Sequence, residues 1–166
     1  MPATNPYQAW FDAVLTALRT LVTNPDQVEL WVDRSDDELL PSKRLEEAVS
    51  RTLPKILVAW GRGSLDDRAL GGSIAGEETV YFTVHFGCGA PRGGGDLYPA
   101  LTGDGSPYMG AFEFYHLIKQ KIRAVAVVGW MGPAKLPNSA IFEIEGKGAI
   151  RGEMNWQISR ADVIAD

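Results

Sequence analysis

The sequence predicts an α+β domain: a mainly antiparallel sheet with an N-terminal helix and a central helix packed on one face. Three observations carry this. Thr79–Phe86 alternates Val80, Phe82, Val84 and Phe86 against Thr79, Tyr81, Thr83 and His85, which is the two-residue period of a strand. Lys55–Trp60 (Lys-Ile-Leu-Val-Ala-Trp) is a short continuous apolar run, the pattern of a strand covered on both faces. The elements then read helix, strand, strand, strand, helix, strand, strand, and grouped strands favour α+β over a strict βαβ alternation.

The chain has 166 residues, enough for one domain, 1–166, with a substantial core. Charged residues make up 22% and the formal charge is −5, a balance that argues against a nonspecific nucleic-acid binder. Cys88 is the single cysteine, so no intrachain disulfide and no cysteine-cluster zinc site can form. The N-terminal Met-Pro-Ala-Thr-Asn-Pro-Tyr carries no signal-peptide pattern, and no apolar stretch reaches the ~20 residues of a membrane span. A soluble protein made in the cytoplasm is expected.

Asn5-Pro6 opens the first helix, as N-cap and first helical residue. Tyr7, Trp10, Phe11, Val14, Leu15, Leu18, Leu21 and Val22 then recur at three- and four-residue spacing, with Gln8, Asp12, Thr16, Arg19 and Thr23 opposite. Asn24-Pro25-Asp26 is the expected stop. Gln27–Arg34 sets Val28, Leu30 and Val32 against Glu29, Trp31 and Asp33, a half-exposed strand. Lys43–Thr52 is compatible with a short helix or a loop, and Pro54 ends any helix before the strand at 56–60.

Gly61–Glu78 reads as a connecting loop. Gly87–Gly110 holds eight glycines and three prolines, which break both helix and sheet. A loop of this length in a small domain is usually functional. Its Leu97, Tyr98, Leu101, Tyr108 and Met109 are residues that seek burial, which argues against a purely flexible linker.

Ala111–Arg123 is the second helix, with Phe112, Tyr115, Ile118 and Ile122 as one stripe and Phe114, Leu117 and Val125 widening it. Pro133–Asn138 reads as a turn leading to a strand at Ala140–Glu145. Glu145–Gly152 bends the chain back into Gly152–Ser159, where Met154, Trp156 and Ile158 alternate with polar residues. The pair reads as a closing antiparallel hairpin.

Each candidate for chemistry has a plainer reading. Gly61-Arg62-Gly63-Ser64 follows a strand, but neither the phosphate-loop nor the dinucleotide pattern is completed, so a turn is favoured. Cys88 needs a base to act as a nucleophile, and His85 and His116 are the two histidines. By alternation His85 falls on the opposite side of the strand from Cys88, so a buried, idle thiol is the expected state. No metal-binding spacing joins the histidines to carboxylates. Asp36-Asp37-Glu38 and Asp66-Asp67 read as solvated loop charge. No catalytic, cofactor-binding or metal site is therefore expected. Trp31 falls on the outer side of its strand, a placement that fits either an interface aromatic or a second packed face.

In the order of its elements (an N-terminal amphipathic helix, strands such as Leu53–Trp60 and Thr79–Phe86, a central helix at Ala111–Arg123 and a hairpin at Ala140–Ser159) the chain resembles the small tail-terminator and tail-completion proteins of long-tailed bacteriophages, including the Mu-type tail protein family. The resemblance spans nearly the whole chain and rests on element order and hydrophobic pattern, not on a motif, and the 87–110 loop departs from it. It implies an α+β protein that assembles as a ring, commonly a hexamer, on the end of the tail tube, capping polymerisation and joining tail to neck, with neither catalysis nor cofactor. The implied partners are further copies of the chain, the tail tube and neck or connector proteins. The implied location is the virion tail, with DNA passing through the ring but not specifically bound.

Trp31, Leu97, Tyr98, Leu101, Tyr108 and Met109 are the candidate interface residues. The alternatives are another tail, neck or baseplate component, or, in a different class, a small enzyme or binding module that uses 87–110 as a lid.

Overall fold

The computed structural model describes residues 6–31, 54–60, 75–89, 110–144 and 149–163. Helix α1 (Pro6–Arg19) leads through a short 3-10 turn (Pro25–Gln27) into β1 (Val28–Trp31). Strands β2 (Lys55–Trp60) and β3 (Ala75–Gly89) follow, then helix α2 (Ala111–Ala124) and the long strands β4 (Trp130–Ile144) and β5 (Ala149–Val163). The five strands form one sheet in the order β1-β2-β3-β5-β4. Its β2/β3, β3/β5 and β4/β5 pairs are antiparallel, and β1/β2 is parallel. This is the α+β arrangement and the element order expected from the sequence.

The core lies between one face of the sheet and the two helices. Trp10, Val14 and Leu18 of α1 and Phe114, Ile118 and Ile122 of α2 are fully buried there. From the sheet come Val28, Ile56, Val58, Val80, Phe82, Val84, Phe86, Ile150, Met154, Trp156 and Ile158. From Val80 to Cys88 on β3 and from Ile150 to Ile158 on β5, every second residue is thus removed from water, as a two-residue period requires. Phe82 is the hub of an aromatic cluster, stacked on Trp156 at 6.3 Å between centroids and met edge-on by Phe11 at 5.9 Å. Trp10 bridges Phe82 and Trp130, and Tyr7 meets Trp130 edge-on. Edge-to-face and offset pairs of this kind add stabilisation beyond area burial.

β2 is buried on both faces, as its unbroken apolar run predicts. Ile56 and Val58 enter the main core, whereas Leu57 is fully buried outside it. Lys55, also buried, donates to the Asp26 carbonyl at 2.9 Å and to Glu29 Oε1 at 2.6 Å, tying β2 to the entry of β1. A buried ammonium with both an ion pair and a carbonyl acceptor avoids the cost of an unpaired charge.

The structure differs from the sequence reading at several boundaries. α1 ends at Arg19, five residues short of Asn24-Pro25, and Asn24 instead caps the 3-10 turn. The Asn24 side chain accepts from the Asp26 N–H, and Gln27 reaches back to the Asn24 N–H. Leu21 and Val22 still pack on the core, from outside the helix. β3 begins at Ala75 and continues through Gly87, Cys88 and Gly89, residues read as loop, so the Gly/Pro segment starts after the strand and ends at Gly110, the N-cap position of α2.

The buried stripe of α2 is Ala111, Phe114, Ile118 and Ile122; Phe112, expected within it, is exposed. The expected Pro133–Asn138 turn is part of β4, where two register irregularities between Met131 and Asn138 absorb the prolines. Proline is tolerated at such irregular, edge-strand positions because the ladder bond it cannot make is already absent. Leu30, expected inward, is 43% exposed on the edge strand β1. The possible helix at Lys43–Thr52 lies outside the described residues.

Candidate functional site

The helices cover one face of the sheet and leave its polar face as the place to look for function. There β3 presents Thr79, Tyr81, Thr83 and His85, and β5 presents Arg151, Glu153, Asn155, Gln157 and Ser159, all between half-buried and exposed. The in-register residues bond across strands. Thr83 Oγ1 donates to Asn155 Oδ1 at 2.8 Å, and Asn155 Nδ2 donates to Asn138 Oδ1 on β4 at 2.7 Å. Thr79 and Ser159 share a hydroxyl bond at 3.2 Å. These cross-strand pairs help fix register on the face that the two helices do not cover.

His85 and Glu153 stand opposite each other on β3 and β5. Burial holds the His85 imidazole below its ordinary range; Glu153 opposes that shift and Arg151 reinforces it. Cys88 lies on the other face, in the core, where burial pushes its thiol well above the usual range. The expectation that strand alternation separates these two residues is met. A thiol so buried, with His85 on the opposite face of the sheet, is not paired with that histidine as the base that nucleophilic catalysis uses. His116 is exposed on α2 and bonded to Gln120 at 2.9 Å. Among the described residues no group of three or more His, Cys, Asp or Glu side chains converges as a metal site would. Among the same residues no helix is long and apolar enough to cross a membrane.

Of the six candidate interface residues, Trp31 ends β1 in register with Ala59, with its side chain outside what the structure describes. Leu97, Tyr98, Leu101, Tyr108 and Met109 lie outside the described residues. So do the Gly61–Ser64 turn and the acidic pairs of the Asp36–Glu38 and Asp66-Asp67 segments.

The sequence reading missed the exposed apolar residues at the two outer strands of the described sheet. Leu30 is on β1; Met131 is on β4, 49% exposed, and Val128 just precedes it, 99% exposed. The one available signal was the pair of glycines, Gly129 and Gly132, that directly follow Val128 and Met131, and the structure holds both at positive φ where the chain turns into the sheet. No protein-family model matches the chain, and no curated protein sequence matches it.

Proposed function

We propose that the chain is a structural, ring-forming protein of the tail-terminator type, which caps a phage tail tube and joins it to the neck. The observation that carries this reading is the element order. An N-terminal helix, three strands, a central helix and a closing hairpin is the element order on which, with the hydrophobic pattern, the resemblance rests. The absence of a converged catalytic set among the described residues is compatible with a scaffold role and adds no support of its own. In this reading the protein uses no cofactor, forms a homo-oligomeric ring, a hexamer by the family pattern, and contacts tube and neck proteins in the virion tail.

A ring requires a heterologous interface that closes by rotation. In this reading Leu97, Tyr98 and Leu101 of the Gly/Pro segment supply apolar side chains for it. Native mass spectrometry over a concentration series tests the reading. The expected result is one discrete oligomer, lost in a Tyr98→Ser, Leu101→Ser double variant that keeps the monomer's melting transition. A wild-type chain that remains monomeric both alone and with tail tubes would reject it.

A further inference from the structure

The two outer strands of the described sheet run in opposite directions. β1 is parallel to β2, and each later step across the sheet, β2 to β3, β3 to β5 and β5 to β4, reverses the direction. Three reversals leave β4 antiparallel to β1. When copies are related by rotation about an axis along the strands, directions are preserved, so the β4 of one copy meets the β1 of the next antiparallel. That is the more stable of the two pairing modes.

The edges also match in length and protection. Natural sheets blunt an open edge with prolines, charges and bulges. The first part of β4 has all three, in Pro133, Lys135, Pro137 and the irregular register up to Asn138. From Asn138 to Phe142 (Asn-Ser-Ala-Ile-Phe) the strand is regular and carries neither proline nor charge, and Asn138, Ser139 and Ala140 are exposed. β1 is four residues long, and its single charge, Glu29, is bonded to Lys55 within the chain. Leu30 stands exposed on it. Among the described residues, one unblunted stretch of about strand length is thus present at each edge of the sheet.

We infer that β1 of one copy pairs antiparallel with the Asn138–Phe142 segment of β4 of the next, so that a continuous sheet runs through the assembly. This rests on the ring reading above and names its interface: a heterologous backbone pairing that repeats head to tail. A two-fold dimer would instead pair like edges, β1 with β1 or β4 with β4.

Cysteine pairing across copies tests it. Leu30 and Ser139 both belong to the helix-covered side of the sheet by register, Leu30 with Val58 and Ser139 with Met154. Cys88 is buried and stays out of the reaction. Chains carrying Leu30→Cys and chains carrying Ser139→Cys are oxidised separately and as an equal mixture, with Ile141→Cys as the second β4 probe in case the register is shifted by one pair. The expected result is a covalent dimer in the mixture and none in either chain alone. A discrete oligomer in native mass spectra without any mixed crosslink would overturn the edge pairing and leave the ring reading standing. Crosslinking of Leu30→Cys chains to one another would overturn it in favour of like-edge pairing. A chain monomeric in every condition would remove both.

Discussion

Gly152 lies directly beneath the ring of Phe86. The two are cross-strand partners on β5 and β3, and a Cβ built on Gly152 would fall 2.1 Å from two Phe86 ring carbons. The ring cannot move aside freely, because Phe114 of α2 meets it edge-on at 5.7 Å. A bare backbone at position 152 therefore sets how closely α2 approaches the sheet.

Gly152→Ala is expected to destabilise the fold by about 1–3 kcal/mol, the usual cost of overpacking a filled core. The loss should shrink when Phe86→Leu is added, since the two positions share one space and their effects are not additive. Equilibrium urea unfolding of the two single variants and the double variant measures the coupling. Additive losses would contradict the packing relationship.

Phe82→Ala should cost about 3–5 kcal/mol, because it removes the ring that Trp10, Phe11 and Trp156 surround. Phe112→Ala, on the exposed side of α2, should change stability by less than about 0.5 kcal/mol. Thermal melts of the two variants check the contrast, and similar losses in both would place the core of α2 on the wrong side.

His85 is neutral-favouring in the folded state, and the sign of its effect follows. Its folded pKa lies below the ordinary 6.5, so the unfolded chain binds the proton more readily. The contribution of His85 is present in full above pH 6.5 and is lost as pH falls from there through the folded-state pKa. His85→Gln should therefore flatten the decline of stability over that window relative to wild type. Unfolding free energies at stepped pH values measure the slope, and an unchanged slope would show that burial of His85 does not govern it.

Cys88 should be inert to an aromatic disulfide reagent in the native protein and should react once in denaturant, as a buried, protonated thiol does. Cys88→Ser should cost about 1–3 kcal/mol by placing a hydroxyl in the core. Rapid native labelling would mean that the site is open to solvent.

The strands that face a core on one side were the most legible in the sequence. Val80, Phe82, Val84 and Phe86 alternate without interruption, and the structure buries each of them. The doubly buried β2 was legible for a different reason, its unbroken apolar run. β4 was obscured because Pro133 and Pro137 are turn signals locally, while the irregular register at an outer strand accommodates both. The end of α1 was overrun because Leu21 and Val22 keep the helical spacing and do pack on the core, though from non-helical backbone. The parallel β1/β2 pair leaves no local trace, since pairing direction depends on how the chain crosses between strands. The cross-strand bonds of Thr83, Asn155 and Asn138 were equally hidden, because three polar residues far apart in sequence become neighbours only once register is set.

Electron microscopy of tail tubes incubated with the purified chain tests the proposed capping role most directly. The account predicts added density at one end of each tube, with rotational symmetry and a hole along the axis, and tubes that no longer elongate when fresh tube subunits are supplied. Tubes with bare ends that continue to grow at saturating concentrations of the chain would contradict it.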